Sequence, residues 1–131
     1  LGRRLRRVDE LMHTGAELPL VSGAATMADV LRAAGAKRLG LTGVLGADGT
    51  LGGIITDGDL RRAVQQHGDV LRFAASELMT RAPKTVPAGA LAESALALME
   101  QYAITALFSV DAEGRPAGVL HLHDLLRAAV V

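Results

Sequence analysis

The feature that most constrains this chain is a pattern written twice. Gly53-Ile54-Ile55-Thr56-Asp57-Gly58-Asp59 runs into Leu60-Arg61-Arg62-Ala63-Val64, and sixty-five positions later Gly118-Val119-Leu120-His121-Leu122-His123-Asp124 runs into Leu125-Leu126-Arg127-Ala128-Ala129-Val130. In each copy an apolar run of strand type ends at a polar side chain, and carboxylate chemistry opens a helical pattern. Two equivalent halves follow, each closing on a strand-to-helix junction with an Asp at the same place.

The rest of the repeat can be laid out around those junctions. Asp9-Glu10-Leu11-Met12 matches Ser76-Glu77-Leu78-Met79, and each reads as one helical turn with Asp9 or Ser76 as N-cap. Leu18 to Val21 is a short apolar segment matched by Thr85-Val86 after Pro83 and Lys84. From Thr26 to Ala34 a capping-box start and apolar residues at Met27, Val30, Leu31 and Ala34 predict an amphipathic helix. Its counterpart runs from Ala90 to Tyr102, with Leu91, Ala95, Leu98 and Met99 on one face. Leu39 to Leu45 and Ile104 to Val110 read as strands. Turns at Ala47-Asp48-Gly49 and Asp111-Ala112-Glu113-Gly114 then lead to the strands Leu51 to Ile55 and Pro116 to Leu120. The unit is strand–helix–strand–strand–helix used twice, an α+β (α/β) fold. Residues 1–8 read as a linker, 9–68 as the first copy and 75–131 as the second, with Gln66 to Arg72 as connector. A unit of about sixty residues buries only a small core alone, so the halves are expected to pack around a pseudo-twofold axis.

Composition excludes several classes. With 50% hydrophobic and 21% charged residues the chain is globular. Its only aromatics are Phe73, Tyr102 and Phe108, which leaves Leu, Val, Ile, Ala and Met to build the core. A net charge of zero and so few stacking side chains argue against a nucleic-acid surface. The absence of cysteine removes disulfide and thiolate chemistry. No apolar run approaches the ~18 residues of a membrane span, and no signal-type N-terminus is present. A start at Leu1 instead of Met points to a piece of something longer. Arg3, Arg4, Arg6 and Arg7 around Leu5 form an anionic contact, a solvated linker or the tail of a preceding helix.

Catalysis would need a nucleophile or general base, and the histidines are His13, His67, His121 and His123. His121 or His123 beside Asp124 could act as a base oriented by a carboxylate, or supply part of a metal site, but no further ligand cluster accompanies them. Binding chemistry fits the junctions better. A helix N-terminus presents unpaired N–H groups to phosphate, Thr56 can donate to a phosphate oxygen, and a carboxylate one turn in can accept both hydrogens of a ribose diol. Gly53 would let a ligand or backbone approach closely. The competing reading is purely structural: Thr56-x-x-Asp59 is an ordinary capping box, like Thr26-x-x-Asp29.

The repeat, with Gly-apolar-apolar-Thr-x-x-Asp closing a half, resembles the cystathionine-β-synthase (CBS) domain, and two copies resemble a CBS pair, or Bateman module. Leu1-Gly2-Arg3-Arg4-Leu5, Leu11-Met12-His13-Thr14-Gly15, Thr56-Asp57-Gly58-Asp59-Leu60-Arg61-Arg62-Ala63, Ile104-Thr105-Ala106 and His121-Leu122-His123-Asp124-Leu125-Leu126-Arg127-Ala128 narrow this. They look like the C-terminal half of the sugar isomerase-type D-arabinose-5-phosphate isomerases. The resemblance implies a cytoplasmic parent enzyme that interconverts ribulose 5-phosphate and arabinose 5-phosphate for the synthesis of Kdo and lipopolysaccharide. Its catalytic residues would lie in an N-terminal sugar isomerase domain outside this sequence. The present residues would form a regulatory and assembling module, a homodimer of modules within a homotetramer. It would need no cofactor and no metal and would bind a nucleotide or nucleotide-sugar: AMP, ATP, or the pathway's activated end product CMP-Kdo. By that resemblance the ligand-binding residues are Thr56, Asp57, Asp59, Arg61 and Arg62 in the first copy. In the second they are Thr85, Val86, Ile104, Thr105, Ala106, His121, His123 and Asp124, where His121 replaces the family's hydroxyl residue. The alternative is a structural module that only assembles the isomerase oligomer.

Overall fold

The computed structural model describes residues 6–128. Arg3 and Arg4 of the terminal arginine run, and the last residues of the second helical pattern, lie outside the described residues. Two compact units make up the fold: Pro19–Pro83, and residues 6–18 together with 84–128. The turn around Met12 belongs by sequence order to the first copy, yet it lies in the unit that holds most of the second. The matching turn around Met79 lies in the unit that holds the first.

In the first unit, β1 (Leu20–Ser22), α1 (Met27–Lys37), β2 (Leu41–Leu45), β3 (Leu51–Thr56), α2 (Asp57–His67), α3 (Ala75–Leu78) and β4 (Thr80–Arg81) follow in order. The sheet runs β1-β2-β3-β4. β1 is parallel to β2, and β3 is antiparallel to both β2 and β4, with Leu41 opposite Thr56 and Gly53 opposite Arg81. Thr26 caps α1 as expected: its Oγ1 accepts from the Asp29 amide at 3.2 Å, and Asp29 accepts from the Thr26 amide at 3.2 Å. The helix runs three residues past Ala34, because Gly35-Ala36-Lys37 removes no amide donor and the left-handed turn comes only at Arg38 (φ 55°). Met27, Val30, Val44, Ile55 and Ala75 form the core of this unit.

The second unit contains β5 (Thr85–Pro87), α4 (Ala92–Tyr102), β6 (Ala106–Val110), β7 (Pro116–His121) and α5 (Leu122–Arg127), with sheet order β5-β6-β7. Val8, Val86, Ala92, Ala95, Met99, Leu107, Leu120 and Leu125 are its core. The N-terminal segment supplies more than Val8. The Ala92 amide donates to the Arg6 carbonyl and the Val8 amide to the Ala90 carbonyl, both at 2.8 Å, so the start of α4 is satisfied by residues more than eighty positions away.

Several local expectations shift. β2 and β6 begin later than the apolar runs, because Gly40 (φ 83°) turns the chain first and the Ile104 amide still donates back to the Met99 carbonyl of α4 at 3.0 Å. Asp9 and Ser76 are not N-caps. A 3₁₀ turn spans Val8–Glu10 behind Arg7, and α3 begins behind Ala74. The cap amides of Arg7 and Ala74 donate to the Glu10 and Glu77 carboxylates at 3.2 and 2.9 Å, while Asp9 Oδ1 accepts from the Gly89 amide at 2.8 Å. The core is not wholly aliphatic either, since Phe108 is 1% exposed.

The glycine that opens each junction motif now has a physical reason. A Cβ on Gly53 would lie 2.6 Å from Met79 Sδ and 2.7 Å from the Thr80 carbonyl oxygen. One on Gly118 would run into the Met12 sulfur and come within 2.9 Å of the His13 carbonyl. The close approach expected at Gly53 is thus made by a methionine turn and its backbone. Gly53→Ala and Gly118→Ala should each destabilise the chain by about 1–3 kcal/mol, as overpacking against backbone does. Thermal melts check this, and wild-type melting temperatures in both variants would refute it.

Candidate functional site

The first junction sits where β3 hands over to α2. Thr56 is in extended conformation (φ −88°, ψ 165°), and its Oγ1 accepts from the Asp59 amide at 3.1 Å. Asp59 Oδ2 accepts from the Thr56 amide at 3.0 Å and from the Thr80 hydroxyl at 3.3 Å, while Oδ1 pairs with Arg62. Asp57 and Arg61 are exposed beside it, and the Asp57 amide donates to the Gly40 carbonyl at 3.1 Å. The structural half of the sequence reading is therefore realised: Thr56 and Asp59 form a complete capping box.

The second junction has the same skeleton with different side chains. His121 Nδ1 accepts from the His123 amide at 3.0 Å, so the imidazole does the capping that a hydroxyl does in the first copy. Asp124 Oδ2 accepts from the His121 amide at 2.8 Å, and Oδ1 pairs with Arg127. A third side chain reaches the same carboxylate: His13 Nε2 lies 3.2 Å from it, while His13 Nδ1 lies 2.9 Å from Glu17 Oε1. The Asp124 side chain is 4% exposed and that of Asp59 15%. The Leu122 amide donates to the Thr105 carbonyl at 2.8 Å, and Ala106 stands opposite His121 in the sheet, which brings Thr105 and Ala106 to this junction. Thr85 stands opposite Phe108 further along the sheet, and Ile104 is half-buried in the connection before β6. Val86 is 2% exposed within the core, so only its backbone is left to meet a ligand.

Catalysis by His121 or His123 has no geometric support here. The histidine that meets Asp124 is His13, and the Nδ1 of His121 already accepts a backbone hydrogen. The His121 and His123 rings are tilted 52° to each other, their centroids 4.5 Å apart. Among the described residues no group of three or more His, Cys, Asp or Glu side chains is placed to hold a metal ion. His13 and Thr80 are the two contacts that reading the junction motifs alone misses. Each directly follows the methionine of a matched turn (Met12-His13, Met79-Thr80), so carrying that alignment one residue further finds both.

Electrostatics follow the wiring. Burial works to raise the Asp59 pKa, but the Thr56 amide and hydroxyl and the Arg62 guanidinium outweigh it and hold the carboxyl below the usual range. A depressed folded value means stability that is present above the unfolded pKa and lost as the pH falls through the folded one. The stability gap between wild type and Asp59→Asn, about 1 kcal/mol at pH 7, should therefore close as the pH drops below about 4 in urea titrations. For His121, burial lowers the pKa first, and neighbouring His123 adds to this, while Asp124 opposes it. Its neutral form is favoured by folding, so this contribution is complete above about pH 6.5 and fades as the pH falls through the lower folded value. His121→Asn keeps a capping acceptor and removes the titration, so it should lose less stability than wild type between pH 7.5 and 5.5. Parallel losses would contradict the assignment.

The CBS domain family matches residues 75–131. The chain is 47% identical over its whole length to the arabinose 5-phosphate isomerase KdsD of Pseudomonas aeruginosa and spans 40% of that protein's length. Among solved structures, CBSX2 in complex with AMP superposes with a TM-score of 0.81 at 25% identity, covering 95% of this chain and 96% of that one. The cytosolic domain of the Mg2+ channel MgtE in complex with ATP superposes with a TM-score of 0.76 at 26% identity, covering 92% and 48%. The duplicated strand–helix–strand–strand–helix unit thus has the fold of these solved structures, its residues 75–131 match the CBS domain family, and the whole chain is similar to part of the arabinose 5-phosphate isomerases.

Proposed function

We propose that the chain is the nucleotide-sensing part of a D-arabinose-5-phosphate isomerase that feeds Kdo and lipopolysaccharide synthesis in the cytoplasm. The observation that carries this is the recurrence, at both junctions, of a carboxylate fixed by a backbone amide and an arginine beside a helix start. A fixed carboxylate is a pre-oriented acceptor for the two hydrogens of a ribose diol, and the adjacent helix start favours phosphate. The complexes of CBSX2 with AMP and MgtE with ATP make adenine nucleotides the first ligands to consider. CMP-Kdo carries the same diol and phosphate plus a sugar carboxylate, for which Arg61, Arg62, His121 and His123 supply donors. The isomerase reaction itself belongs to residues outside this chain, and the module would form homodimers within a tetrameric parent.

One observation favours the assembly-only reading: at both junctions the proposed ligand groups already satisfy one another as caps. Calorimetric titration with AMP, ATP, CMP and CMP-Kdo separates the two. On the sensing reading at least one nucleotide binds, and Asp59→Ala or Asp124→Ala lowers its affinity tenfold or more. Absence of heat with all four, with both variants merely about 1 kcal/mol less stable, overturns the sensing reading for these ligands and leaves the assembly-only reading in front.

A further inference from the structure

The two junctions differ most in what holds the carboxylate from the side. At Asp59 it is the neutral hydroxyl of Thr80, on a two-residue strand. At Asp124 it is the imidazole of His13, whose other nitrogen faces Glu17 of its own segment. That segment has little regular structure: two 3₁₀ turns, Val8–Glu10 and Gly15–Glu17, flank His13. His13 also attaches it to the sheet, through amide–carbonyl hydrogen bonds exchanged with Val119 at 2.8 and 3.0 Å. The ring thus joins the N-terminal segment to the carboxylate that the proposed ligand would use.

We infer that His13 gates Asp124 and couples its occupancy to residues 6–18, an inference that rests on the nucleotide-sensing reading. A carboxylate has about four acceptor positions. Asp124 already receives the His121 amide, Arg127 and His13, so a ribose diol that donates two hydrogens must displace a side-chain partner. Arg127 is 69% accessible and lies on the same helix as Asp124, so its release alters nothing beyond that helix. His13 is the side-chain partner brought in by another segment, and a diol that takes its position competes with that segment for Asp124. By linkage, whatever draws the segment away from the sheet raises affinity for the ligand, and the ligand loosens the segment to the same degree.

The test uses the 131-residue chain with AMP as probe. Side-chain NMR of His13 and amide hydrogen exchange across residues 8–18 are followed in wild type, and affinity is measured in wild type, His13→Ala and His13→Gln. The expected result is that AMP shifts the His13 ring signals and speeds exchange at the His13 amide. His13→Ala should bind several-fold more tightly, and His13→Gln, which keeps a donor for Asp124, should stay near wild type. A merely structural His13 would give signals that do not depend on ligand. AMP binding that leaves His13 signals and exchange unchanged, or changes only the surroundings of Asp59, overturns the gate and leaves the sensing reading standing. No AMP binding in any of the three proteins removes AMP sensing, and the gate falls with it.

Discussion

Each unit turns on one carboxylate, three residues into a helix, tied back across the end of a strand. Asp59 and Asp124 each accept the amide of the residue that ends the strand, so that donor stays paired where the chain leaves the sheet. That bond fixes the angle at which the helix leaves the sheet. It also keeps a charged group at a site that is 4% exposed in one unit and 15% in the other, where an unpaired carboxylate would be costly. The arginine three residues on, Arg62 or Arg127, supplies compensating charge from the solvent side. An identical Asp–Arg pair at Asp29 and Arg32 in the first unit lacks the burial.

The glycine-methionine contacts explain why the junction motif begins with a residue that has no side chain. Gly53 and Gly118 leave room for Met79 and Met12, and the residue after each methionine then lands on the junction carboxylate. Strand, helix start and crossing turn are thus one packed assembly in each unit. A change in any of them is transmitted to the carboxylate by contact, which is what a ligand-responsive element requires.

Much of this was legible in the sequence because it is local. The capping boxes at Thr26 and Thr56, the hairpin glycines and the order of strands and helices depend on residues three or four apart. The duplication supplied the second copy without a fresh argument. Where the reading slipped, distant parts of the chain decided. Asp9 looks like a cap until Gly89 takes its carboxylate, and Val86 looks available until the core closes over it. Residues 9–18 belong by order with the first copy, but His13 pairs with Val119 of the second and Val8 just before them packs into its core, contacts that no short window contains. His13 and Thr80 could be seen only by aligning the crossing turns, not the junctions.

On the proposed reading these wired carboxylates are ligand acceptors as well as caps. The most direct measurement is backbone-amide chemical-shift mapping of the 131-residue chain titrated with AMP. The account predicts saturable shifts at amides around Asp57 to Asp59 or Leu122 to Asp124, reduced by the matching Asp→Ala substitution. Spectra that stay unchanged at millimolar AMP, or shifts confined to surfaces remote from both junctions, would contradict it and leave the carboxylates as caps alone.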